Sequence, residues 1–142
     1  MYDSKNLLYL LTILEAIEKI SIYSNDFLNP LDLLQANDQM NFNACNNLLI
    51  AIGEESKKIS LDLKSNFPDF PWNEVAGLRN KLAHDYRGVD PDIIFSVIKD
   101  YLSELKNIII EMVNMVNPDL HYLSQVLATD YYNHIRYLIK SH

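Results

Sequence analysis

Residues 79 to 86 read Arg79-Asn80-Lys81-Leu82-Ala83-His84-Asp85-Tyr86, and three of them carry the chemistry of phosphodiesters. An arginine fork grips phosphate oxygens at two points and keeps its charge at any working pH. A histidine titrates near neutrality and can move a proton to or from a ribose hydroxyl. The tyrosine offers a hydroxyl that can bind a ligand or be modified by a partner enzyme. The spacing is Arg-x-x-x-x-His-x-Tyr, and Arg87-Gly88 follows at once.

Suppose that the segment from Trp72 is helical, turning about 100° per residue. Trp72, Val75, Ala76, Leu78, Leu82, Ala83 and Tyr86 then share one broad apolar face, and Arg79 projects from its middle. A guanidinium there must be paired, hydrogen-bonded or open to a wet cleft, because an unpaired buried charge is prohibitively costly. Two readings follow: a structural arginine tied to Glu54 or Glu55, or an arginine facing phosphate. The neighbouring residues favour the second. His84 stands about 140° further around an ideal helix, so the two cannot meet on one regular face. They converge if the helix ends or distorts near His84, which Gly88 favours. They converge equally if two protomers pool their motifs across a twofold axis.

With its flanks, the segment is similar to a known family. Gly77-Leu78-Arg79-Asn80, then His84-Asp85-Tyr86 and Gly88-Val89-Asp90, resembles the HEPN superfamily and, within it, the HepT-like branch (DUF86). Upstream, Tyr9-Leu10 and the run Ile13 to Ile20 resemble the first helix of that branch, and Leu49 to Ser60 its second. Phe70-Pro71-Trp72 resembles the turn into its third, so the likeness covers roughly residues 6 to 116. The resemblance implies a metal-independent endoribonuclease, working without a cofactor as a homodimer with its motif at the shared cleft. Arg79 and His84 would be catalytic, with Asn80 as the polar residue favoured after the arginine. Tyr86 would be the position where a cognate minimal nucleotidyltransferase, the antitoxin, attaches AMP. The protein would then be the toxin of a type VII-like toxin–antitoxin pair. The departure from the family lies in residues 118 to 142, which exceed a compact member.

Composition sets the frame around the motif. At 142 residues, the chain predicts a single domain over 1–142, with a core at about 4–116 and a C-terminal helical extension at 117–142. Hydrophobic residues make up 49% and charged residues 22%, which suits a soluble globular protein. With only 3 Gly and 5 Pro, the chain has few places to break and reads as helical. The lone Cys45 forbids an intramolecular disulfide, fits a reducing cytosol and predicts a small core residue. Met1-Tyr2-Asp3-Ser4-Lys5 lacks the features of a signal peptide, and no apolar run approaches the roughly 20 residues of a membrane span. A cytoplasmic protein without a membrane partner is expected. The net charge of −7 argues against a broad nucleic-acid surface. Arg79, Lys81 and Arg87 against Asp85 form a basic island, and a nuclease need hold only a few phosphates at the scissile bond.

The periodicity places four long helices and one more. Residues 5 to 23 carry apolar side chains at helical spacing. A short helical turn is expected over 31 to 35. The second long helix is expected from Asp38 or Asn41, either as its cap, to about Leu63. Lys64 to Pro71 is a proline-interrupted loop, and Trp72 opens the motif helix. Asp90-Pro91 restarts a helix to about Val116. Asn117-Pro118 closes it, and residues 119 to 140 predict a tyrosine-rich last helix. The expected fold is all-α, an up-down four-helix bundle with an additional C-terminal helix.

Apart from Asp130, four residues before His134, neither His121 nor His134 has an i+3 or i+4 partner that would build a metal face, and no glycine-rich phosphate loop is present. The leading expectation is an RNA substrate, with His84 as general acid or base and Arg79 stabilising phosphate charge. The alternative is a non-catalytic accessory module that binds a nucleotidyltransferase or nucleotide.

Overall fold

In a computed structural model, residues 1–139 are described, the side chain of Tyr86 excepted. Helix α1, Asn6–Ser24, is the spine of the bundle. Leu7, Leu10, Leu11, Leu14, Ile17 and Ile20 recur at three- and four-residue intervals and are buried. They present one apolar stripe to α3 (Met40–Lys58) on one side and α7 (Leu102–Val116) on the other. Helix α5, Trp72–Asp85, packs on α3, so the layers run α5, α3, α1, α7. The bundle is all-helical, with no strand among the described residues. Cys45 lies fully inside the core, and burial pushes its thiol up to about 11.

The entry to α3 differs from expectation. Asn29 caps α2, Pro30–Gln35, by accepting from the Asp32 amide at 2.9 Å, with proline in the first turn. Asn37, Asp38 and Gln39 then adopt positive φ values of 50°, 55° and 71°, a turn that the short polar side chains tolerate. α3 begins at Met40, capped by neither Asp38 nor Asn41. Asn41 instead donates to the Tyr23 carbonyl at 2.9 Å, tying α3 to the end of α1.

α3 also ends early, at Lys58. Asn6 donates to Ser60 Oγ and accepts from the Ser60 amide, both at 3.0 Å. These bonds come from 54 residues away and hold the chain extended at Ile59, before the single turn of α4, Leu61–Lys64. Downstream, Asp90 caps α6, Pro91–Ser96, as its Asp-Pro pair predicts, accepting from the Asp92 amide at 2.9 Å. The expected continuous helix to Val116 is interrupted by a π-helical turn at Val97–Tyr101.

The expected helix over 119 to 140 is two pieces. Helix α8 spans Leu120–Leu127 behind an Asp119 cap, and a 3-10 segment covers Asn133–Leu138. Thr129 Oγ1 turns back onto the Val126 carbonyl at 2.7 Å, where α8 ends. The second piece lies back on α1: Tyr132 pairs with Thr12 at 2.9 Å, and Tyr137 donates to Glu18 at 2.6 Å. The extension therefore caps the bundle, and its end beyond residue 139 lies outside the described residues.

Candidate active site

The motif helix is seated by a glycine on its neighbour. A Cβ at Gly53 would lie 2.3 Å from Arg79 Cβ, 2.9 Å from its Cγ and 3.3 Å from the Val75 carbonyl. Only a residue without a side chain lets α5 come this close to α3. Leu82 is the buried side chain of α5. The apolar face is narrower than expected, for Ala83 is exposed and Val75, Ala76 and Leu78 are half-buried. The reason is positional, since α5 is the outer layer with α3 on one side.

The close approach brings Arg79 against the end of α3. Its Nη2 is ion-paired with Glu54 Oε1, and its Nη1 donates to Asn80 Oδ1 at 3.1 Å. Lys57 Nζ donates to the same Asn80 oxygen at 3.0 Å. Arg79 Nε is buried without a partner. The pair is open at its outer edge, with 23% of the Arg79 side chain and 38% of the Glu54 side chain exposed. A guanidinium carries five N–H donors. Two are engaged here, by Glu54 and Asn80. The carboxylate partner weighed from sequence is thus real in the single chain, and it leaves donors over.

His84 is exposed near the end of α5. The helix neither ends nor distorts before it, continuing to Asp85 and only then tightening into a 3-10 turn, Tyr86–Gly88. No hydrogen bond or ion pair joins His84 to Arg79. Convergence within one chain is therefore not seen. The regular helix keeps the two side chains about 140° apart. Asn80 hydrogen-bonds to Arg79 and Lys57. The side chain of Tyr86 lies outside the described residues.

Two contributors escaped sequence reasoning. Lys57 follows Glu54 by three residues and so shares its helical face. That spacing was the available signal. Gly53 could be recognised only once α5 lay on α3. On the other side of α5, a groove of about 590 Å³ is lined by Phe70, Val75, Leu78, Ile93, Val97 and Tyr101 among others, and neither Arg79 nor His84 reaches it. Among the described residues, no group of three or more His, Cys, Asp or Glu side chains could hold a metal ion.

Comparison with known proteins shows the family of the chain. The family model described as ribonuclease HepT-like matches residues 13–112. The chain belongs to the HepT-like family. A probable ribonuclease HepT of Thermococcus cleftensis is 37% identical over 98 residues, covering 69% of this chain and 86% of that protein. A putative RNase of Methanocaldococcus jannaschii, MJ1216, is 32% identical over 59% of this chain and 73% of its own length. A second from the same organism, MJ1380, is 40% identical over 39% of this chain and 50% of its own length. No solved structure matches the chain significantly. The HepT-like match runs from within α1 to within α7, so it includes Gly53, Glu54, Arg79, Asn80 and His84 and stops short of the C-terminal extension.

Proposed function

We propose that this HepT-like chain is a metal-independent endoribonuclease, active as a homodimer, and the toxin of a type VII-like toxin–antitoxin pair. The observation that carries the reading is the Arg79 cluster. A guanidinium is fixed by Glu54 and Asn80 with donors to spare, on the same helix as an exposed histidine. Family membership and the names of the relatives support the same class of reaction.

The chemistry follows from these groups. The ribose 2′-oxygen attacks the adjacent phosphorus, the bond from phosphorus to the 5′-oxygen breaks, and a 2′,3′-cyclic phosphate remains. The 2′-hydroxyl proton leaves to a base and a proton reaches the departing 5′-oxygen, with His84 serving one of these transfers. Arg79 stabilises the charge that builds on the non-bridging oxygens. Because α5 holds Arg79 and His84 on different faces, the productive pair combines Arg79 of one copy with His84 of a second. AMP attached to Tyr86 by a minimal nucleotidyltransferase would add bulk and negative charge beside the phosphate site and silence it. A cytoplasmic setting suits the lone buried Cys45, and no helix among the described residues is long and apolar enough to cross a membrane.

A second reading, an accessory module that holds a nucleotidyltransferase or nucleotide without cleaving, is favoured by one observation: the Glu54 carboxylate already occupies one edge of Arg79. The deciding experiment is cleavage of total cellular RNA in excess EDTA by wild type and by His84→Ala. The expected result is cyclic-phosphate ends from wild type and a loss of about 10²–10⁴-fold in the variant. Equal cleavage by the two proteins sinks the proposal. If neither cleaves, the intact mass of a peptide containing Tyr86 discriminates: an AMP adduct marks a silenced toxin, and a bare tyrosine favours the accessory module.

A further inference from the structure

Lys57, like Lys64 on the Ser56 carbonyl and Lys99 on the Ser24 carbonyl, hydrogen-bonds to a neutral acceptor, but it shares that acceptor with an arginine. The neighbouring Lys58 is committed to Glu55 at 3.1 Å and lies over the Tyr9 ring. Lys106 is committed to Glu18 and Lys19 to Glu15. Lys57 is exposed, and its hydrogen bond goes to a neutral acceptor, Asn80 Oδ1. That same oxygen already accepts from Arg79 Nη1. An ammonium and a guanidinium therefore stand on two sides of a single amide oxygen, within the span of two hydrogen bonds.

Two like charges so placed repel unless something negative lies against both. Glu54 answers one of them, through Nη2 of Arg79. The other remains in excess at an exposed edge. Asn80 is the hub, since both donors require its oxygen to face them. An anion with several oxygens would meet both cations at once, with the guanidinium presenting its fork and the ammonium its rotatable donors.

We infer that Lys57 is a second phosphate-binding residue of the site, held beside Arg79 by Asn80, and that together they grip the backbone of single-stranded RNA. This inference rests on the ribonuclease reading, and its role for Lys57 is in binding and not in proton transfer. Lys57 holds the strand by charge, so an arginine in its place serves and a neutral side chain does not.

The test uses full-length His84→Ala protein, in which cleavage is removed, and a fluorescent single-stranded RNA oligonucleotide whose anisotropy is followed across a potassium chloride series. Adding Lys57→Gln is expected to weaken binding several-fold at low salt. It should also lower the slope of log affinity against log salt by about 0.7, the value for one lost single-strand phosphate contact. Lys57→Arg should restore both, and Lys58→Gln, which removes a cation committed to Glu55, should leave the slope in place. Unchanged affinity and slope in Lys57→Gln, with Arg79→Ala weakening binding, overturn the role of Lys57 and leave the ribonuclease reading standing. If no variant binds RNA and wild type does not cleave it, both fall.

Discussion

At the scale of single residues, the question is what Glu54 does to Arg79. A half-exposed ion pair contributes at most about 1 kcal/mol to stability, so its effect on the site should outweigh its effect on the fold. Glu54→Gln keeps a hydrogen-bond acceptor and removes the negative charge from the edge of Arg79 proposed to meet phosphate. RNA should bind several-fold more tightly, while single-turnover cleavage slows about tenfold because the guanidinium is less firmly aimed. Stopped assays at saturating enzyme separate the two effects; unchanged cleavage would reduce the pair to a structural tie. Glu54 was legible in the sequence as one of two candidate carboxylates for a guanidinium on an apolar face. The Asn80 hub was not, because Lys57 and Asn80 stand 23 residues apart. They meet only through the register of two helices, and that register is set by a missing side chain at Gly53.

At the scale of elements, two mid-helix glycines should behave in opposite ways. A Cβ at Gly53 meets Arg79 at 2.3 Å, whereas one at Gly77 meets nothing within 4 Å. Gly53→Ala must push α5 off α3, costing about 1–3 kcal/mol and disturbing the Arg79 cluster with it. Gly77→Ala removes a mid-helix glycine at no steric cost within the chain and should add about 0.5–1 kcal/mol. Thermal melts of the two variants check both signs. The C-terminal piece offers an electrostatic test of the same kind. Burial raises the Glu18 carboxyl, but hydrogen bonds from Lys106 and Tyr137 and the Lys106 charge bring it, on balance, below its ordinary range. A depressed carboxyl contributes stability that is present above the unfolded value and lost as pH falls through the folded one. Glu18→Gln should therefore lower the melting temperature at neutral pH, and the difference should shrink as pH falls through the ordinary Glu value of about 4.3 and vanish once pH passes the lower folded value. The helix start at Asp90-Pro91, written in local chemistry, was readable in advance. The early end of α3 was not, because Asn6 imposes it from another helix. The same limit applies to Tyr132 and Tyr137, whose partners on α1 lie about 120 residues away.

For the whole molecule, the geometry of α5 turns the catalytic proposal into a statement about assembly. The helix is regular through His84, so Arg79 and His84 of one copy point to different sides, and a cleft containing both needs a second copy or a bend. Mixing distinguishes these. Arg79→Ala retains His84 and His84→Ala retains Arg79, and each should be inactive alone. Co-expressed with different tags and purified through both, they should form a heterodimer with one intact Arg79–His84 pair contributed across the twofold axis. Its cleavage should recover to about half that of wild type, because one of two symmetric pairs is restored. Light scattering of the same sample should give twice the 16.5 kDa chain mass plus the two tags. The net charge of −7 opposes self-association at low ionic strength, so the dimer should tighten as salt rises even while RNA binding weakens. Recovery of activity in the doubly purified heterodimer assigns the cleft to two chains. A heterodimer of full mass and no activity would require Arg79 and His84 of one chain to share a cleft, and hence an RNA-induced break in α5 between them.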